Sequence, residues 1–226
     1  MPYFAESGYD AHALSLRGHG KSGGTAGLRH SRVKDYVKDV RSVVERMGTA
    51  PILVGHSLGG LVVQKYAERY DTPALVLMAS VPVGGIVKML ERLARTHTSK
   101  LLRVNTSFSL YPFVSTPRIA REILYSGTLG ELELKEYHGK LQDESYFAFL
   151  DMLVFTRIRP ERVRARVLVM GAHDDRVFYR RDIRRTGRAY GEQAVILPDM
   201  AHDMMLEPNW RVAADTILQW LGGLGL

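Results

Sequence analysis

The chain has no cysteine among its 226 residues. Disulfide frameworks, thiolate metal sites and a cysteine nucleophile are therefore excluded, and the absence fits a cytoplasmic protein. No run approaches the roughly 18 consecutive apolar residues that a membrane span requires. Residues 1–8, Met-Pro-Tyr-Phe-Ala-Glu-Ser-Gly, lack the basic-then-apolar order of a secretory signal. Internal repeats and low-complexity tracts are also missing. What is present is a 46% hydrophobic composition, enough to bury one sizeable core.

The formal net charge of +7 is local rather than general. From Arg157 to Arg188 there are 11 arginines against Glu161, Asp174, Asp175 and Asp182, which leaves 20 basic and 20 acidic residues elsewhere. Arg180, Arg184 and Arg188 recur at helical spacing and read as the solvated face of one helix. No zinc-finger spacing or aromatic-basic RNA motif accompanies them, so nucleic acid is not an expected partner.

The pattern of apolar residues predicts strands over residues 9–16, 51–54, 74–79, 166–171 and 193–197. It predicts helices over 31–47, 58–70, 180–190 and 208–221. Strands alternating with helices imply an α/β fold, a mostly parallel sheet covered by helices on both faces. Residues 81–160 break the alternation, with helical patches at 86–95, 117–125, 129–139 and 143–155 and no strand pattern. The expected organisation is thus a first core part (1–80), a helical cap (81–160) and a second core part (161–226). Within the cap, Phe108, Tyr111 and Phe113 occupy an irregular stretch and are candidates for lining an apolar substrate pocket.

Two loops carry possible chemistry near the start. Gly20-Lys21-Ser22 ends like a phosphate-binding loop, but Ser15 stands where that motif needs its first glycine, so a nucleotide site is rejected. The stretch Pro51-Ile52-Leu53-Val54-Gly55-His56-Ser57-Leu58-Gly59-Gly60 feeds an apolar strand through Gly-x-Ser-x-Gly into a helix. That arrangement is a nucleophile elbow, which pushes a serine hydroxyl out above the sheet. Ser57 is the candidate nucleophile, with Gly55 and Gly59 expected where strand and helix pack too closely for a side chain.

A serine hydroxyl needs a base to take its proton and an acid to orient the base. Asp174 and Asp175 follow the strand at 166–171, and His202 follows the strand at 193–197. Serine, aspartate and histidine therefore occur in that order at three strand ends. The backbone N–H of Leu58 is the expected oxyanion donor. His56 is expected to support the site without reacting.

These motifs resemble the α/β-hydrolase superfamily over essentially the whole chain, most closely its bacterial lysophospholipase-like and esterase-like members. Arg17-Gly18-His19-Gly20-Lys21-Ser22 is similar to that family's Arg-Gly-x-Gly-x-Ser loop, and Gly55-His56-Ser57-Leu58-Gly59-Gly60 to its elbow. Val169-Met170-Gly171-Ala172-His173-Asp174 matches the strand and loop bearing the family's acid. The resemblance thus implies Asp174 as the acid, with Asp175 the alternative, and His202 as the base. It implies hydrolysis of a carboxylic ester, with acyl lipids among the candidates, through an acyl-enzyme, with no metal and no organic cofactor. The family's topology also has an earlier strand and a His-Gly loop that supplies a second oxyanion donor. Neither is found here, so the chain is expected to be an N-terminally short version of a larger hydrolase. A hydrolase-like binding protein with impaired catalysis is the alternative function.

Overall fold

The computed structural model describes residues 1–155 and 157–226, without the side chains of residues 154 and 155. Val33, Tyr36, Val37 and Val40 recur every three or four residues, and they bury one side of helix α2 (Val33–Met47). The short helix α1 (Pro2–Glu6) precedes it. Asp35 at the third position of α2 accepts the N–H of Arg32, and Gly48 closes the helix in the left-handed region at φ 72°.

Strand β1 (Leu53–His56) then enters helix α3 (Ser57–Ala67), followed by strand β2 (Ala74–Met78). Between β2 and strand β3 (Arg166–Ala172) the secondary structure described is helical throughout. It comprises α4 (Val87–Thr96), α5 (Thr98–Ser107), α6 (Pro117–Leu124), α7 (Glu131–His138) and α8 (Tyr146–Leu150), with a π-helical turn at Asp151–Phe155. Helix α9 (Arg180–Ala189), strand β4 (Val195–Leu197) and helix α10 (Trp210–Leu224) complete the chain.

The four strands form one parallel sheet in the order β1-β2-β3-β4, with Leu53 opposite Leu75, Leu75 opposite Val167, and Met170 opposite Val195. Side-chain alternation divides the core between its two faces. Leu75, Leu77, Val167 and Val169 pack against α2, α3 and α9, whereas Ala74, Val76, Leu168 and Met170 pack against α10. The arginines of α9 point away from Ile183, Thr186 and Gly187, which are buried, so the basic excess is largely a solvated face.

Residues 9–16 are not a strand. A strand needs a neighbour for its backbone groups, and β1 is the edge of the sheet, with Val54 49% exposed. The segment has no strand partner, and most of its residues are exposed. Among the described residues no helix is long and apolar enough to cross a membrane.

The glycines at the elbow act as a spacing device, though not quite the expected one. A Cβ on Gly55 would lie 2.5 Å from Val63 Cγ2 and 2.6 Å from the Gly59 carbonyl oxygen. Gly59 itself has open space around its Cα, and the second close approach is at Gly60, where a Cβ would lie 2.2 Å from Ser80 Oγ. Gly55→Ala is therefore expected to destabilise the protein by about 1–3 kcal/mol, because backbone cannot move aside as a flexible side chain can. Chemical denaturation measures this, and an unchanged midpoint would show that β1 and α3 have room to part.

Candidate active site

Ser57 sits where β1 becomes α3, with φ of 50°, a left-handed conformation rarely held by a residue with a side chain. Its carbonyl accepts the N–H of Val81, which ties the turn to the end of β2. Helix α3 starts without a side-chain cap, so the N–H of Leu58 is free of competition from its own helix. An oxyanion beside Ser57 would meet that donor and the positive end of the helix.

His202 lies on the loop between β4 and α10 and is 3% exposed. Its Nδ1 is 3.0 Å from Asp175 Oδ2. The other oxygen of Asp175 accepts the backbone N–H groups of Val177 at 2.7 Å and Phe178 at 2.9 Å, so the carboxylate is fixed by three bonds. Asp174, the expected partner of His202, is elsewhere. Half-exposed, it bonds to His173 Nδ1 at 2.8 Å, while Arg180 reaches the other nitrogen of that ring. The pair is Asp175 and His202 because the turn after β3 carries position 174 outward and 175 inward, where the apolar Val177-Phe178 segment seals it. An aspartate two and three residues before such an apolar pair is the signal in the sequence, since a short acidic side chain commonly caps those N–H groups.

Burial alone would lower the His202 pKa, but the charge of Asp175, its hydrogen bond and the nearby Asp203 outweigh this and raise it above the ordinary imidazole value. His56 is shifted the other way, by burial and then by the charge of His202. His56 Nε2 bonds to the His202 carbonyl oxygen at 3.0 Å and lies 3.6 Å from Asp203 Oδ1, and the two imidazole rings stand 4.8 Å apart. From the position next to Ser57, His56 thus holds the His202 backbone and packs against its ring. His56, His202 and Asp203 could each offer a donor atom to a metal. However, His202 Nδ1 and His56 Nε2 are already engaged by Asp175 and the His202 carbonyl.

Ser57, Leu58, His56 and His202 line one cavity of about 810 Å³. The helical segment supplies much of its apolar wall through Met89, Leu93, Phe113, Leu124 and Phe149, with Arg92, Arg176, Glu122 and Glu144 as polar points. Of the three aromatics expected there, Phe113 is in the wall. Phe108 is not among its lining residues; it is 49% exposed and packs edge-on against Tyr146. Tyr111 also lies outside the wall, in a turn whose backbone N–H bonds to Asp143. The inward side of α4, with Met89 and Leu93, was not anticipated from sequence, although its amphipathic spacing marks one face as buried.

The arrangement has known counterparts. The family model described as "Serine aminopeptidase, S33" matches residues 1–209. The monoacylglycerol lipase of Mycolicibacterium smegmatis is 25% identical over 237 residues, covering 96% of this chain and 80% of that one. Among solved structures, a non-haem bromoperoxidase candidate from Mycobacterium tuberculosis superposes with a TM-score of 0.77 at 20% identity, over 98% of this chain and 84% of that one. The monoacylglycerol lipase of Paleococcus ferrophilus gives 0.63 at 22% identity, over 92% and 81%.

Proposed function

The chain belongs to the serine aminopeptidase S33 family of α/β hydrolases, and from that premise we propose that it hydrolyses carboxylic esters with an apolar acyl group through an acyl-enzyme on Ser57. The observation that carries this is the buried Asp175–His202 pair in the same cavity as a serine held at an elbow. His202 takes the Ser57 proton as the hydroxyl attacks the ester carbonyl, then returns it to the departing alcohol. Water repeats the sequence on the acyl-enzyme. Asp175 holds Nδ1 as the N–H, leaving Nε2 as the base, and Leu58 N–H faces the developing oxyanion.

An ester is favoured over the peptide bond of the family's description because the wall is mainly apolar, as an acyl chain requires. The Mycolicibacterium smegmatis relative is a monoacylglycerol lipase, which is consistent with such a substrate. A fluorophosphonate probe labels only an activated serine. The expected result is stoichiometric labelling of Ser57 and a burst of p-nitrophenol from p-nitrophenyl butyrate. An intact fold that gives neither would favour a hydrolase-like binding protein.

The pKa of His202 also sets a pH dependence. A base with a raised pKa keeps its proton to higher pH, so kcat/KM is expected to fall on acidification with a midpoint above the ordinary 6.5. The associated stabilisation has the opposite sense. It is complete below 6.5 and fades as pH rises through the folded-state value. A pH profile with its acid limb at or below 6.5 would contradict the coupling to Asp175.

A further inference from the structure

Glu207 is a buried carboxylate that the hydrolytic steps above do not use. It is 1% exposed and sits at the end of the 3-10 turn Met204–Leu206, before α10. Oε1 accepts the N–H of Ser126 at 2.7 Å and the N–H of Ala201 at 3.3 Å, and Oε2 accepts Ser126 Oγ–H at 2.5 Å. Ser126 belongs to the helical segment just beyond α6, and Ala201 immediately precedes His202. Burying a carboxylate is costly unless donors replace its water, and three neutral donors do so here.

The residue on the other side of His202 is tied to the same segment, because the N–H of Asp203 donates to the Leu124 carbonyl at 3.0 Å. Both flanks of the base are therefore anchored to residues 124–126, one directly and one through Glu207. Leu124 also lines the cavity. Leu124 of the cavity wall is therefore one hydrogen bond from the residue after His202, and Ser126 reaches the residue before it through Glu207.

We propose that Glu207 is a positioning residue for His202, one that sets the base's placement by linking its loop to the segment that walls the cavity. Removing the link leaves the Ala201 and Ser126 N–H groups without a partner, with the Ser126 hydroxyl held only by Thr128 Oγ1 at 2.7 Å, and the loop relaxes. A base displaced by about 1 Å loses on the order of 10- to 100-fold in rate without losing substrate affinity. The inference rests on His202 acting as the base, and its test includes a readout that does not depend on hydrolysis.

Glu207→Ala is expected to lower kcat on p-nitrophenyl butyrate by about 10- to 100-fold with KM within about threefold. In the same variant, the low-field proton resonance of His202 Nδ1–H against Asp175 should shift or broaden. Glu207→Gln should recover most of the rate, because its amide oxygen can accept both backbone N–H groups and its NH2 can donate to Ser126 Oγ. Ser126→Ala, which removes the hydroxyl link to Glu207 together with the hydroxyl's bonds to Thr128 but keeps the Ser126 N–H, should give a smaller loss in kcat and again leave KM alone. Unchanged kcat and an unshifted resonance in folded Glu207→Ala would overturn the proposal. If that variant does not fold, the same two readings in Ser126→Ala overturn it. An inactive wild type that still shows the resonance, and its shift in Glu207→Ala, would sink the hydrolase reading and keep the positioning one.

Discussion

Ser57→Ala is expected to lower kcat/KM on p-nitrophenyl butyrate by about 10⁴- to 10⁶-fold, the range found when a catalytic serine is removed from an otherwise intact triad. The loss is large because the base and the oxyanion donor have nothing to act on once the nucleophile is gone. The residual rate reflects bound water and the Leu58 N–H. Alanine keeps the Cβ and tolerates φ of 50° no better than serine does. The elbow's strain is then unchanged, and thermal unfolding should match the wild type within a few degrees. Steady-state kinetics with a matched unfolding curve measures both. Activity within tenfold of the wild type would remove Ser57 from the mechanism.

The second large effect separates two adjacent carboxylates. Asp175→Asn is expected to reduce kcat by about 10⁴-fold, because an amide can present N–H to His202 Nδ1 and so stabilise the wrong tautomer. Asp174→Asn should stay within about threefold, since its side chain is half exposed and engages only His173. Asp175→Asn should also move the acid limb of the pH profile down, having removed the charge that raises the His202 pKa. Comparing the two variants on one substrate is decisive. A large loss at 174 and a small one at 175 would mean that the family's Gly-x-x-Asp spacing, rather than the hydrogen bond, identifies the acid.

That pair illustrates what could be read from the residues. The elbow, the serine-aspartate-histidine order and the four strands of the sheet were all visible, because period-two apolar runs and turn glycines are local properties. The aspartate that pairs with His202 was legible only to within one position, since which of two neighbours turns inward depends on where β3 stops, and strand ends are set by tertiary pairing. The strand expected at 9–16 failed for a related reason. Alternation records a preference for a pleated surface, and a strand exists only if another lies beside it. Helix α5 (Thr98–Ser107) was missed because Leu101, Leu102 and Val104 are too few to stand out among its threonines and serines. The pocket wall was half legible. Phe113 reaches the cavity, but Phe108 adopts a left-handed backbone at φ of 52°, packs on Tyr146 and is absent from the wall, and no pattern in the sequence foretells that turn.

The helical segment leaves β2 at Met78 and returns to the neighbouring strand at Arg166. Joining β2 to β3 therefore closes a loop about five times longer than the one joining β1 to β2. Loop-closure entropy grows only with the logarithm of length, so the difference is about 1.5 kcal/mol, and doubling the segment would add only about 0.6 kcal/mol more. The helical wall of the cavity can thus be lengthened, shortened or exchanged at almost no thermodynamic expense to the sheet that holds Ser57, Asp175 and His202. What constrains it instead is the seam at residues 124–126, where a replacement segment must still present Leu124 and Ser126 to the loop that carries His202.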